Sequence, residues 1–219
     1  MKVAAVFACV VGLIAVVPGR ALSGEATVSG ASSSTGHPWE LSGERRAALR
    51  RSSLEAAFSS RAGNSGSAVV RGRTNPEFFY PTELFEHFAA TAFSPNASTR
   101  TIARESLLET AVALGIGSDV WTLVAPHARP VVEANERQRA LALAILEKDS
   151  GRQKLLDESA SLEAHRCELL TSGLKRAEES LGGTLLLRLL YLGVAPTVTM
   201  TVSPDTDLEI FSRESECRR

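Results

Sequence analysis

Hydrophobic residues recur with two different periods in the C-terminal two-thirds of the chain, and the helical period comes first. Between Asn75 and Leu181 the apolar residues are spaced by three and four, as in helices with one buried face. Pro76 stands at the first position of the first predicted helix, and Gly115 ends the second one. This spacing predicts a mainly α domain.

The longest predicted helix begins near Pro130 and ends near Leu181, with a candidate break at Gly151. One stripe of this helix is close to a heptad repeat. Gly173 lies off the stripe, where a glycine costs about 1 kcal/mol of helix stability. Such a stripe needs a partner, and we favour a partner in the same chain over a second copy. The stripe comprises Leu156, Ala160, Glu163, Cys167, Leu170, Leu174, Ala177 and Leu181, of which only Glu163 is charged.

The period changes to two near the C-terminus. Threonines alternate with apolar residues over 198–202, and residues 208–211 form a second short alternating run after a turn-like Ser-Pro-Asp segment. The two runs predict an antiparallel β-hairpin, with residues 185–192 as a third strand or a buried helix. The predicted fold class is therefore mainly α with a small C-terminal antiparallel β element (α+β).

Residues 184–202 are apolar enough to raise the question of a membrane span. Arg188 near the middle of this run costs at least about 2.5 kcal/mol on insertion scales, and Pro196 interrupts a helix. The β-branched residues around Thr199 also favour a strand. We expect packed structure here, with a membrane span as the alternative.

The N-terminal third of the chain has a different composition. Residues 1–21 combine Lys2 with a short apolar core and small residues at the candidate cleavage point, which is typical of a signal peptide. The alternative is an N-terminal anchor, which needs roughly 20 apolar residues. Residues 22–74 are rich in Ser, Gly and Arg and predict a disordered arm, with one short basic amphipathic helix within 41–61. Residues 75–219 are the predicted helical domain, ending in the hairpin.

The leader predicts the secretory pathway, with an extracellular location or a secretory organelle as the destination. The arm is arginine-rich and lysine-free, so the layout also resembles the two-part leaders of proteins bound for secondary plastids, and a plastid-type organelle is the alternative. An oxidising compartment makes Cys167 and Cys217 a candidate disulfide. Asn96 begins an Asn-Ala-Ser sequon and is a candidate glycosylation site.

Recognisable catalytic motifs are missing from the sequence. It contains no phosphate-binding loop and no dinucleotide-binding glycine motif. The histidines have no metal-ligand spacing, because His165 and Cys167 point away from each other on a helix. The net charge of −1 argues against broad nucleic-acid binding. We expect no catalysis, no cofactor, no metal and no nucleic-acid partner.

Binding to another protein is the function that we expect. Phe78, Phe79 and Tyr80 are consecutive, so we expect at least one of them to be exposed. This aromatic edge and the long helix would contact an unidentified protein partner or a second copy of the chain. One alternative is a ligand-binding or enzymatic domain with a pocket lined by His87 or His127. Another is membrane association through the basic arm or the apolar run at 184–202.

Overall fold

The structure is a computed structural model that describes residues 26–27, 36–59, 67–147, 152–182 and 184–212. Most of these residues are helical, and three short strands form one sheet. The predicted fold class, mainly α with a small antiparallel β element, is confirmed. The predicted signal peptide, residues 1–21, lies outside the described residues.

Seven α-helices and three strands are found in the described ranges. The helices are α1 (Gly43–Ser59), α2 (Pro81–Ala92), α3 (Ala97–Ala113), α4 (Asp119–Glu147), α5 (Arg152–Leu181), α6 (Leu185–Leu189) and α7 (Leu208–Ser212). The strands are β1 (Ala26–Thr27), β2 (Ala68–Arg71) and β3 (Thr199–Val202), and 3-10 turns occupy Pro38–Glu40, Pro76–Phe78 and Ala195–Thr197.

The predicted β-hairpin is wrong. Its first strand is present as β3, but β3 pairs with β2 and not with residues 208–211. β3 pairs antiparallel with β2, in the register Ala68 opposite Val202 and Arg71 opposite Thr199, and β1 pairs parallel with the other edge of β2. Residues 208–211 belong to helix α7. The Asp207 carboxylate accepts a hydrogen bond from the Glu209 N–H at 2.9 Å, which favours a helix start over a strand.

The predicted domain boundary at 74/75 is also wrong, because described parts of residues 22–74 belong to the folded core. The predicted short helix is present as α1, but it packs into the domain, and Leu54 is fully buried. Residues Ala68, Val69 and Val70 of β2 are buried at the centre of the sheet. The rest of the predicted arm, apart from β1 and residues 36–42, 67 and 72–74, lies outside the described residues.

Helices α4 and α5 pack against each other as an antiparallel pair. Arg137 of α4 contacts Glu158 of α5 at 3.3 Å, and farther along the pair His127 hydrogen-bonds Ser180 at 3.1 Å. A Cβ atom on Gly173 would lie 2.9 Å from the carbonyl oxygen of His127, so this glycine is at the interface and not off the packed face. The predicted helix from Pro130 to Leu181 is therefore two helices that pack on each other, and the stripe on α5 has its partner in the same chain, as we favoured. A coiled-coil geometry stays a prediction.

Helix α4 begins earlier than the sequence indicated. It starts at Asp119 and continues through Pro126 and Pro130, although each proline removes one helical hydrogen bond. One face of the helix remains buried through both positions, which compensates for the missing bonds. That face includes Val120, Val124, Ala128 and Val131.

The aromatic edge that we expected at Phe78, Phe79 and Tyr80 does not exist, because all three side chains are buried, with exposures of 0 %, 0 % and 1 %. The backbone changes conformation here: Phe78 ends a 3-10 turn, while Phe79 and Tyr80 are extended. Consecutive side chains can therefore point to different parts of the core.

Polar contacts also hold this segment in the core. The Phe79 carbonyl accepts a hydrogen bond from the Tyr191 hydroxyl at 2.7 Å, and Arg46 and Arg50 of α1 lie over the Tyr80 ring.

The apolar run at 184–202 is helical in its first half. Residues 185–192 are a buried helix and not a third strand: α6 continues into one π-helical turn at Leu190–Val194, and Leu186, Leu189 and Leu190 are buried. In the described part of the chain, no single helix is long and apolar enough to cross a membrane. The segments Gln153–Leu181 and Leu185–Thr197, bent by 106°, reach that length and composition only as a pair.

Candidate anion-binding site

Three arginines from two helices meet in one cleft beside the end of α2. Arg100 and Arg104 lie in the first two turns of α3, and Arg129 projects from α4. Together with Phe93, the residue that follows α2, they line a cleft of about 380 Å³, which we call the arginine cleft. Its volume is within the range of small-molecule sites in proteins.

Two of these guanidinium groups are held in place by backbone carbonyls. Nε of Arg104 donates to the Ala92 oxygen at 2.8 Å, and Nη1 of Arg100 donates to the Ser94 oxygen at 2.6 Å. Cations suit this position because carbonyls at a helix C-terminus lack partners and carry partial negative charge. The anchoring leaves both Nη groups of Arg104, and Nε and Nη2 of Arg100, as further donors. The arginines therefore complete the end of α2 and still offer N–H groups to the cleft.

Aromatic rings fix the plane of the Arg104 guanidinium. Its central carbon lies 5.1 Å from the centre of the Phe93 ring and 5.3 Å from that of Trp121. Phe88 stacks on Trp121 at 6.3 Å and connects the two rings to the core. Cation–π contacts of this kind orient an arginine without neutralising it. Arg104 is thus positioned before any ligand arrives.

The lining of the arginine cleft, as far as the structure describes it, consists of three positive side chains and one phenylalanine. Burial, and then the neighbouring charges of Arg100 and Arg129, lower the pKa of Arg104 below its ordinary value. Guanidinium groups nevertheless stay protonated near neutral pH. Among the described residues, none of these three arginines forms an ion pair. Three like charges held together in this way repel one another and attract an anion.

A second arginine pair, on α1, serves the fold. Arg46 and Arg50 are each 1 % exposed, and Arg50 forms an ion pair with Glu83 at 2.9 Å. Arg46 donates to the carbonyl oxygens of Pro38 and Glu77. Burial lowers the pKa of Arg46. Because these guanidinium groups have protein partners and no access to solvent, they attach α1 to the core and offer nothing to a ligand.

The other residues that the sequence singled out are dispersed. Asn96 is exposed and caps α3, accepting a hydrogen bond from the Thr99 N–H at 3.0 Å, so glycosylation there stays a prediction. Cys167 lies on α5 and is disulfide-bonded, but Cys217 lies outside the described residues, so their pairing also stays a prediction.

His87 and His127 do not line the arginine cleft. Groups of His, Cys, Asp or Glu suited to a metal are not found among the described residues.

The arginine cleft is not among the sites predicted from the sequence, although one local signal for it is present. Arg100 and Arg104 are four residues apart, a spacing at which like charges destabilise an isolated helix. Neither of them has an acidic residue three or four positions away. Arg129 joins them only through the packing of α4 against α2, which no local pattern reveals.

Comparison with protein-family models, with curated proteins and with solved structures finds no match to this chain.

Proposed function

We propose that this protein is a non-enzymatic binding domain whose arginine cleft holds an anionic group of its partner. The observation that carries the proposal is the convergence of Arg100, Arg104 and Arg129 without an ion pair among the described residues. Clustered guanidinium groups, two of them anchored here by backbone carbonyls, are a common means of binding carboxylate, sulfate or phosphate. Arg129 lies on α4, so the long helical pair contributes directly to the proposed interaction.

The composition of the cleft supports binding over catalysis. Its lining residues are one phenylalanine and three arginines, which provide hydrogen-bond donors and positive charge. A hydrolase or transferase site also needs a nucleophile or a general base, such as a hydroxyl, thiol, imidazole or carboxylate. None of these groups is among the lining residues.

The secretory route remains part of the proposal and is supported by the composition of residues 1–21. N-terminal sequencing of the protein recovered from the medium of a secreting host tests it. The expected new N-terminus lies close to Ala21. A chain that retains Met1 would contradict the route.

Thermal unfolding of the full chain in inorganic phosphate tests the proposed binding. A ligand at about ten times its Kd stabilises the folded state by about 1.4 kcal/mol. For a chain of this size that is a rise in Tm of about 3–6 °C. The reference is sodium chloride at equal ionic strength, because salt itself screens charge.

A matched pair of variants locates the effect. Arg129→Gln removes one charge from the cleft, and Arg176→Gln removes one from an exposed position on α5 that has no ion pair in the described structure. We expect phosphate to stabilise Arg176→Gln like the wild type and to stabilise Arg129→Gln much less. Absence of stabilisation in the wild type, or equal stabilisation in both variants, would refute the proposal.

A further inference from the structure

We infer that the arginine cleft is matched to a doubly charged phosphate monoester, in preference to a carboxylate or a singly charged sulfate ester. The inference rests on the proposed function and specifies its ligand. Three features of the cleft lead to it: the number of its cations, the arrangement of its free donors, and its volume.

The arrangement of donors favours a group with three terminal oxygens. Arg100, Arg104 and Arg129 approach from the beginning of α3 and from α4, and the first two keep free N–H groups after anchoring to backbone carbonyls. A phosphate or sulfate monoester presents three acceptor oxygens, one for each guanidinium. A carboxylate presents only two oxygens, so two of the three guanidinium groups would have to share one of them.

The number of charges distinguishes phosphate from sulfate. A singly charged sulfate ester leaves two of the three positive charges in the cleft without compensation, whereas a phosphate monoester dianion leaves one. The dianion relieves more of the repulsion among the three arginines. Charge, and not shape, is therefore the basis of the expected selectivity.

The volume indicates that the phosphate belongs to a larger molecule. At about 380 Å³ the cleft exceeds what a bare ion needs, since one water accounts for about 30 Å³ of liquid. Phe93 is only 7 % exposed, so a ligand meets almost only the three guanidinium groups, and the organic part of an ester would extend out of the cleft. Both a small phosphomonoester and a phosphorylated side chain of a protein meet this description.

Calorimetric titration of the full chain with phenyl phosphate and phenyl sulfate, at two pH values, tests the inference. The second pKa of a phosphate monoester is about 6, so the dianion fraction rises about tenfold between about pH 5 and pH 7.5. We expect the affinity for phenyl phosphate to rise by up to that factor, because the monoanion present at about pH 5 resembles phenyl sulfate in charge, and we expect the affinity for phenyl sulfate to stay constant. Arginines do not titrate in this range, and the cleft lining contains no carboxylate or imidazole. Phenyl sulfate, whose charge is constant, is the control for titration elsewhere in the protein, such as that of His87.

Variants and a second ligand complete the experiment. Arg129→Gln should weaken phenyl phosphate binding at pH 7.5 by about fivefold or more, while Arg176→Gln should leave it unchanged. Equal affinity for both esters at pH 7.5, or a phosphate affinity that is independent of pH, would overturn the inference but leave anion binding intact. If neither ester binds, the proposed function fails as well. Tighter binding of a phosphoserine peptide than of free phosphoserine would identify a protein as the source of the phosphate.

Discussion

Replacing Gly72 with alanine tests whether the segment before residue 75 is part of the folded domain. A Cβ atom at Gly72 would lie 2.0 Å from the carbonyl oxygen of Ala195 and 2.9 Å from its carbonyl carbon. These are backbone atoms of a 3-10 turn and cannot rotate away. Moving them would also disturb the hydrogen bond from the Gly72 N–H to the Val198 oxygen at 2.9 Å, next to the pairing of β2 with β3.

The size of the destabilisation in Gly72→Ala depends on how rigid the Ala195 backbone is. Overpacking a core usually costs about 1–3 kcal/mol, and a clash with backbone belongs at the upper end of that range. We therefore expect Gly72→Ala to lower the free energy of unfolding by about 3 kcal/mol. For a chain of this size the corresponding fall in Tm is about 6–12 °C.

Urea and thermal unfolding, followed by circular dichroism, measure the effect. Gly36→Ala is the matched control, because a Cβ there would meet only the Glu40 carboxylate at an ordinary 3.6 Å. The control should change stability by less than about 0.5 kcal/mol. If Gly72→Ala is as stable as the control, then residues around β2 do not pack as described and the disordered-arm interpretation returns.

Two further predictions concern buried polar groups. Burial lowers the pKa of His87 below its ordinary 6.5. As the pH falls, the unfolded chain therefore becomes protonated at this histidine before the folded chain does. Stability should fall as the pH decreases below about 6.5. His87→Gln should reduce this dependence in urea titrations, and a slope identical to that of the wild type would contradict the assignment. Tyr191→Phe removes the hydrogen bond to the buried Phe79 carbonyl and should cost about 1–2 kcal/mol in the same assay, whereas a neutral result would show that this carbonyl finds another donor.

The helices were predictable because their signals are local. The apolar spacing of α2, α3 and α5, together with the glycines after helices, depends only on neighbouring residues. The preference for an intramolecular partner of α5 was also correct. The start of α4 was misjudged because two prolines within a helix usually indicate its end, and only tertiary packing overrides that signal.

The sheet was not predictable in its pairing. β2 and β3 are separated by more than a hundred residues, and a short alternating run such as 199–202 does not specify its neighbour. A nearby second run therefore suggested a hairpin. In the structure that run is α7, where Phe211 lies 4.7 Å from the guanidinium carbon of Arg50.

Arginines were the largest source of error, in the fold and in the site. An arginine-rich helix indicates a solvated surface, yet Arg46 and Arg50 of α1 are among the most buried side chains. Long side chains can place their stems and guanidinium planes on aromatic rings, and those rings come from distant segments. The arginine cleft was not predicted because it also depends on distant segments: Arg129 is on α4, whereas Arg100 and Arg104 are on α3.

The most direct test of the central claim is to observe the arginine side chains themselves. In a nitrogen-15 NMR titration of the full chain with phenyl phosphate at pH 7.5, the account predicts that the Nε–H resonances of Arg100, Arg104 and Arg129 shift together and saturate. The resonance of Arg176 should remain in place. Shifts spread evenly over exposed arginines, or no saturable shift at the three cleft residues, would contradict the claim that this cleft binds an anion.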